Sequence, residues 1–242
     1  MSYFFQGFPT MQYDVFANGR PVETTDLFRS VRLKNNLRDD ILLYERYRIQ
    51  DGERPDHVSL KLYGTTDYYW TFFMINPDIV NSFADWPCSR IEMENKIKLK
   101  YQGNVLLTDE DISNKFIRGE TLKGSISLAT ASIIQKDTDR GVIRLSTTDQ
   151  VGTFVDGELI RGLTSNDQIA IDRQIPYSVN PNHFEDSTRF WVRKDYPGAI
   201  PIPNDEHERE WNEYKTDIKV IRPEYITQVV DEFYKIINPD QQ

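Results

Sequence analysis

Between Tyr47 and Ile79 the turn, cap and apolar signals fall in an order that leaves few folds open. Tyr47 and Ile49 alternate with polar neighbours, as a half-buried strand requires, and Asp51-Gly52 supplies a tight turn. Pro55 stands where a helix can begin without losing a needed N–H, and Val58 and Leu62 then share one helical face. Gly64 is placed as the C-cap of that helix. Asp67 is placed as the N-cap of a second, which carries Tyr68, Trp70, Phe73 and Met74 and is stopped by Asn76-Pro77. The stretch reads strand, turn, helix, turn, helix, exit.

That order resembles a LysM module, in the longer form where Tyr63-Gly64 ends the first helix and Trp70 opens the second. The resemblance implies a LysM-like βααβ core at 47–79, and for many modules it implies binding of N-acetylglucosamine polymers. Here the usual Gly-Asp-Thr-Leu opening reads Gly52-Glu53-Arg54-Pro55, which argues against sugar binding. The second helix is apolar on most sides, from Tyr68 to Ile75, and a helix of that kind is covered on most sides.

Further landmarks flank this core. Tyr3, Phe4 and Phe8-Pro9 come first, then Thr25 to Val31, Asp85-Trp86-Pro87-Cys88-Ser89 and, far downstream, Ile221-Arg222-Pro223-Glu224-Tyr225-Ile226. In this joint order the chain resembles the small LysM-bearing baseplate wedge proteins of contractile-tailed bacteriophages, the family of gene product fifty-three. The resemblance implies a non-enzymatic structural protein of the virion tail baseplate, assembled in the host cytoplasm and needing no cofactor. It also implies six copies per baseplate that join neighbouring wedges in the inner ring. Their partners would be other wedge subunits, including the wedge scaffold protein and the sheath-initiating lysozyme-like protein.

Bulk properties agree with such a role. The chain has 242 residues, enough to bury a substantial core, and its aromatic share of 12% is high, as befits residues that gather at interfaces. A net charge of -9 argues against nonspecific binding to nucleic acid or an anionic membrane, which draws on clustered Lys and Arg. No apolar run reaches the ~20 residues that span a bilayer, and the opening MSYFFQGFPT lacks the pattern of an export signal. Cys88 is the single cysteine and reads as a small buried residue.

The expected fold class is α+β, in four parts. Residues 1–105 form an N-terminal domain, with a helix following Thr25 or Asp26 and another carrying Ile91, Met93, Ile97 and Leu99. Residues 106–175 form an inserted small β-barrel or sandwich, because Phe116-Ile117-Arg118-Gly119-Glu120-Thr121-Leu122-Lys123-Gly124 recurs as Phe154-Val155-Asp156-Gly157-Glu158-Leu159-Ile160-Arg161-Gly162. Residues 176–204, rich in Pro and Asn, read as an extended linker. Residues 205–242 are helical: Asp205 caps one helix and Pro223 opens the last, whose stripe is Ile226, Val229, Val230, Phe233 and Ile237.

No catalytic or metal constellation emerges. Gly119 and Gly124 lack the lysine of a phosphate loop, and His57, His183 and His207 are scattered. Asp137, Asp139 and the glutamates of 206–210 read as a solvated face. The aromatics are what remain. Trp70 is assigned to the core, while Tyr69, Phe72, Phe73, Trp86, Trp211, Ile226, Val230 and Phe233 are the expected partner contacts. A peptidoglycan- or chitin-binding module is the main alternative, and a glycosidase using an acidic pair the second.

Overall fold

The computed structural model describes residues 4–29 and 42–238. It divides into two compact units, Met1–Arg90 with Asn212–Gln242, and Ile91–Trp211. Along the first come the antiparallel pair β1 (Thr10–Tyr13) and β2 (Val22–Thr25), then β3 (Tyr44–Arg48), α1 (Pro55–Tyr63) and α2 (Trp70–Ile75). Helix α3 (Arg90–Lys100) carries the chain into the second unit. There follow β4 (Asn104–Leu107), β5 (Thr121–Gly124), β6 (Thr130–Asp137), β7 (Val142–Leu145), β8 (Leu159–Gly162), β9 (Gln168–Ala170) and β10 (Arg173–Pro176). Next are β11 (Pro181–Glu185), β12 (Trp191–Val192), β13 (Ile200–Pro203) and α4 (Asn204–Tyr214). The chain closes with β14 (Asp217–Ile221) and α5 (Pro223–Ile237).

Local signals set the first unit. Gly64 adopts φ 74° and its N–H reaches the Leu60 carbonyl, the left-handed cap that only glycine adopts freely, and Pro55 opens α1. Asn76 ends α2 and does more than stop it. Its Nδ2 donates to the Phe72 and Lys219 carbonyls while its Oδ1 accepts from the Lys219 N–H, so one side chain ties α2 to the outer edge of β14. The strand that pairs with β3 is therefore β14, from the far end of the chain, with Asp217 opposite Arg48 and Ile221 opposite Tyr44.

Two of the expected local features differ. Asp67 does not cap α2, whose N-cap is Tyr69; residues 67–69 form a turn in which the Asp67 N–H is taken by Thr65 Oγ1. Thr25 ends a strand, because it pairs with Thr10, and Asp26 Oδ1 then accepts from the Phe28 N–H in a turn. The remainder of the helix expected there, with Val31, lies outside the described residues.

In the second unit seven strands form one antiparallel sheet in the order β10-β4-β7-β6-β5-β8-β9. Its edge strands β10 and β9 do not pair with each other, so the inserted segment is not a closed barrel. Strand β6 changes partner along its length, pairing with β5 up to Ser132 and with β7 from Ile133, with a register shift at that bend. The sheet curls around a mostly aliphatic core that includes Leu106, Leu122, Ile133, Ile143, Leu145, Ile160 and Ile169.

The sequence repeat is a structural one. Strands β5 and β8 pair antiparallel with Lys123 opposite Arg161, Leu122 opposite Gly162 and Gly124 opposite Ile160, so the two copies face each other across a local two-fold. Each copy's glutamate fixes the other copy's turn. Glu158 accepts from the N–H groups of Val155, Ile126 and Ser127 and from Ser127 Oγ, while Glu120 accepts from Ile117, Thr164 and Ser165 N–H and from Ser165 Oγ. Gly124 and Gly162 make room for this: a Cβ at either would come within 2.6 Å of the facing carboxylate.

Residues 176–204, read from sequence as an extended linker, hold a three-stranded sheet in the order β12-β11-β13. Pro201 and Pro203 fit because they stand on the edge strand β13, and Pro181 because it is the first residue of the central strand β11.

Candidate functional site

The first unit has two adjoining hydrophobic clusters, and they absorb most of the residues expected at a partner surface. In one, the α5 residues Ile226, Val230, Phe233 and Ile237 are buried with Phe8, Tyr44, Trp70, Ile75 and Ile221. The Phe233 and Trp70 rings lie 4.3 Å apart, Phe4 stands 5.1 Å from Trp70, and Tyr234 donates its hydroxyl to the Phe4 carbonyl. In the other, Ile49, Val58, Phe72, Ile79, Trp86, Ile218 and Val220 are buried together. Trp86 Nε1 donates to the Glu53 carbonyl at 2.7 Å.

Phe72, Trp86, Ile226, Val230 and Phe233 are therefore interior residues of this unit, and the expectation that they face a partner is corrected by their burial. The apolar stripe of α5 does need cover, as its length implies. It finds that cover in Trp70 and the Phe4–Phe8 segment of its own chain. Trp70 is in the core as expected.

Tyr69, Phe73 and Trp211 keep surface. Tyr69 and Phe73 are half-buried, with ring centroids 6.1 Å apart, and both rest on Phe83, each at 5.4 Å. Phe83 is 53% exposed, and the nearby Val80 is 78% exposed. Tyr69, Phe73 and Phe83 thus form an aromatic ridge on the first unit. Sequence reasoning missed Phe83; the available signal was an aromatic between Ser82 and Ala84 in a short polar turn that helix periodicity does not cover. Trp211 belongs to the second unit and is 46% exposed.

The loop where a LysM sugar site would open is occupied by structural bonds. Glu53 accepts from the Gln50 N–H and the Tyr47 hydroxyl through Oε2 and from Lys61 through Oε1. Burial acts to raise its pKa, but these three donors outweigh it and hold the carboxyl below its ordinary range. Burial pushes the Tyr47 phenol up, and the bonds to Tyr47 and Glu53 raise Lys61. This network fastens β3, the turn and α1 to one another. It leaves Glu53 no oxygen free of a partner for a ligand.

Among the described residues each unit also has an open groove. One of about 770 Å³ in the first unit is walled by the pairs Arg46–Asp217 and Arg48–Glu213 and by Tyr214, whose hydroxyl meets Asp78. Another of about 790 Å³ in the second unit is lined by Trp191, stacked on the buried His183 at 4.1 Å, and by Arg140, Arg193 and Lys194. Among the described residues no group of His, Cys, Asp and Glu is arranged to hold a metal ion, and no helix is long and apolar enough to cross a membrane.

The chain is α+β, its charged side chains fasten loops, and part of its aromatic surplus forms a ridge on the first unit. Compared with known families, residues 3–109 match the model of base plate wedge protein 53. The match spans less than half of the chain and takes in β1 to β4. No curated protein matches the chain.

Proposed function

We propose that this protein is a structural component of a contractile phage tail baseplate, where it joins neighbouring wedges of the inner ring and performs no catalysis. The observation that carries the reading is the match of residues 3–109 to base plate wedge protein 53. In this reading β3, α1, α2 and β14 are a LysM-like core turned from glycan to protein, with Glu53 spent on its own loop. The partners are other wedge subunits, including the wedge scaffold and the sheath-initiating lysozyme-like protein, and six copies assemble per baseplate in the host cytoplasm. Contact is made by the aromatic ridge of Tyr69, Phe73 and Phe83, since exposed aromatics that desolvate on docking contribute most of an interface's free energy.

The test is complementation of the phage that encodes the chain, with its own copy deleted. Phe83→Asp should leave the circular dichroism spectrum of the purified protein unchanged and lower its melting temperature by only a few degrees, because Phe83 is 53% exposed and its buried side meets only the ridge. It should reduce the yield of complete tails at least tenfold. Normal tails with this variant would remove the ridge from the interface. Sedimentation of the wild type with insoluble peptidoglycan would favour the glycan-binding alternative.

A further inference from the structure

The two copies of the repeat place the same turn at both ends of a local two-fold, so each end is a control for the other. Residues 125–128 and 163–166 follow β5 and β8 in the same way, are held by Glu158 and Glu120 in the same way, and expose the same positions. Position four of the turn is left-handed in both, with φ 56° at Leu128 and φ 63° at Asn166. Asparagine adopts that conformation readily, because its short polar side chain bonds locally, whereas leucine gains nothing there and is strained. Leu128 is nevertheless 64% exposed, so no interior packing repays the strain.

The chemistry of the two ends differs accordingly. Beside Leu128 stand Ile126 at 70% exposure, Val151, Val155 and Leu159, all exposed. They are contiguous: Glu158 binds the backbone of both Val155 and Ile126, Ser125 bonds Leu159, and Val151 bridges to Thr130. At the other end Thr164, Asn166 and Thr121 stand where Ile126, Leu128 and Leu159 do, while the exposed Ile117 matches Val155 and the exposed Leu163 takes the place of Ser125. Between the ends, on the exposed side of β5 and β8, Lys123 and Arg161 lie directly opposite each other. Like charges across a strand pair repel. Arg161 Nη2 donates to Asn166 Oδ1, and among the described residues no carboxylate forms an ion pair with either side chain, in a chain whose net charge is -9.

We infer that the Ile126–Leu128 end of the second unit is a second docking surface, fitted to a protein partner that offers an apolar depression flanked by carboxylates. A strained, exposed leucine explains itself if a partner covers it. A like-charged doublet explains itself if the partner brings acids. The inference rests on the baseplate reading for where the partner is found, and it is independent of the aromatic ridge.

The experiment transplants Thr164 and Asn166 onto the matching positions of the Ile126–Leu128 turn. In the same deletion phage, Ile126→Thr with Leu128→Asn gives this turn the residues its twin already carries, so the protein should melt at or above the wild-type temperature. Its copies per purified tail, counted by quantitative mass spectrometry, should fall at least tenfold, and Lys123→Glu should lower them similarly. Thr164→Ala, at the other end, should leave the count unchanged. Should the double swap melt several degrees lower, Leu128→Gly suits the same backbone and removes the side chain. Wild-type counts for the swap, or for Leu128→Gly, would overturn the docking surface, and a wild-type count for Lys123→Glu would overturn its acidic partner. Absence of the wild-type chain from tails would instead overturn the baseplate reading, and this surface with it.

Discussion

The two units bury their interiors with different materials. The first is held by rings, with Trp70, Phe72, Trp86 and Phe233 at its centres, and it needs segments from both ends of the chain. The second is contiguous in sequence, has a mostly aliphatic core, and fixes its turns with buried carboxylates. A fold closed by its own last helix depends on contacts made across almost the whole chain. A fold built from a repeat depends on local bonds made twice.

The largest effect that separates them is the loss of one ring. Phe233→Ala should cost about 3–5 kcal/mol, the usual range for emptying a buried phenylalanine site. Because Phe233 meets Trp70, Phe4 and Phe8, the loss should fall on the first unit alone. Hydrogen exchange on the full chain should then show protection lost in α2, β14 and α5 and kept in β4 to β8. Equal loss in both would mean that the two units share one cooperative core.

Next in size is the symmetry of the repeat. Glu120→Gln and Glu158→Gln each replace a carboxylate that accepts four hydrogen bonds, and bonds to a charged group are worth roughly 1.5–3 kcal/mol apiece before neighbouring donors readjust. The two variants should destabilise the second unit to the same degree in urea titrations. A large difference would show that the turns, alike in geometry, are unequal in energy.

A milder contrast is expected in acid. For Glu120 and Glu158 burial acts to raise the pKa, but the hydrogen bonds from the facing turn outweigh it, and both carboxyls are held below the ordinary 4.5. A depressed folded pKa contributes stability that is complete above the unfolded value and is lost as pH falls through the folded one. The melting temperature of the second unit should therefore be flat from pH 7 to 5 and fall below about pH 4.5. The first unit, where among the described residues Glu53 is the carboxyl so depressed, should follow at lower pH or with a shallower slope. Acid loss that begins in the first unit would contradict this ranking.

Local chemistry was legible in the sequence and distant pairing was not. Pro55, Gly64, Asn76 and Pro223 place helix ends because each acts on the backbone beside it. Nothing near Tyr44–Arg48 announces that its partner strand is Asp217–Ile221. Periodicity marked the apolar stripe of α5 correctly, but a stripe records only that a face is covered; whether Trp70 or another chain covers it depends on the fold. The repeat was visible as a repeated Gly-Glu, and its glycines read as turns. The carboxylates' exchange of turns was invisible because it needs the β5–β8 register.

Electron cryomicroscopy of the intact tail of the encoding phage locates the chain and its covered surfaces together. Six copies are expected in the inner baseplate, with the ridge of Tyr69, Phe73 and Phe83 pressed against a neighbouring subunit. A chain missing from the baseplate, or one present there with Phe83 facing solvent, would contradict this arrangement.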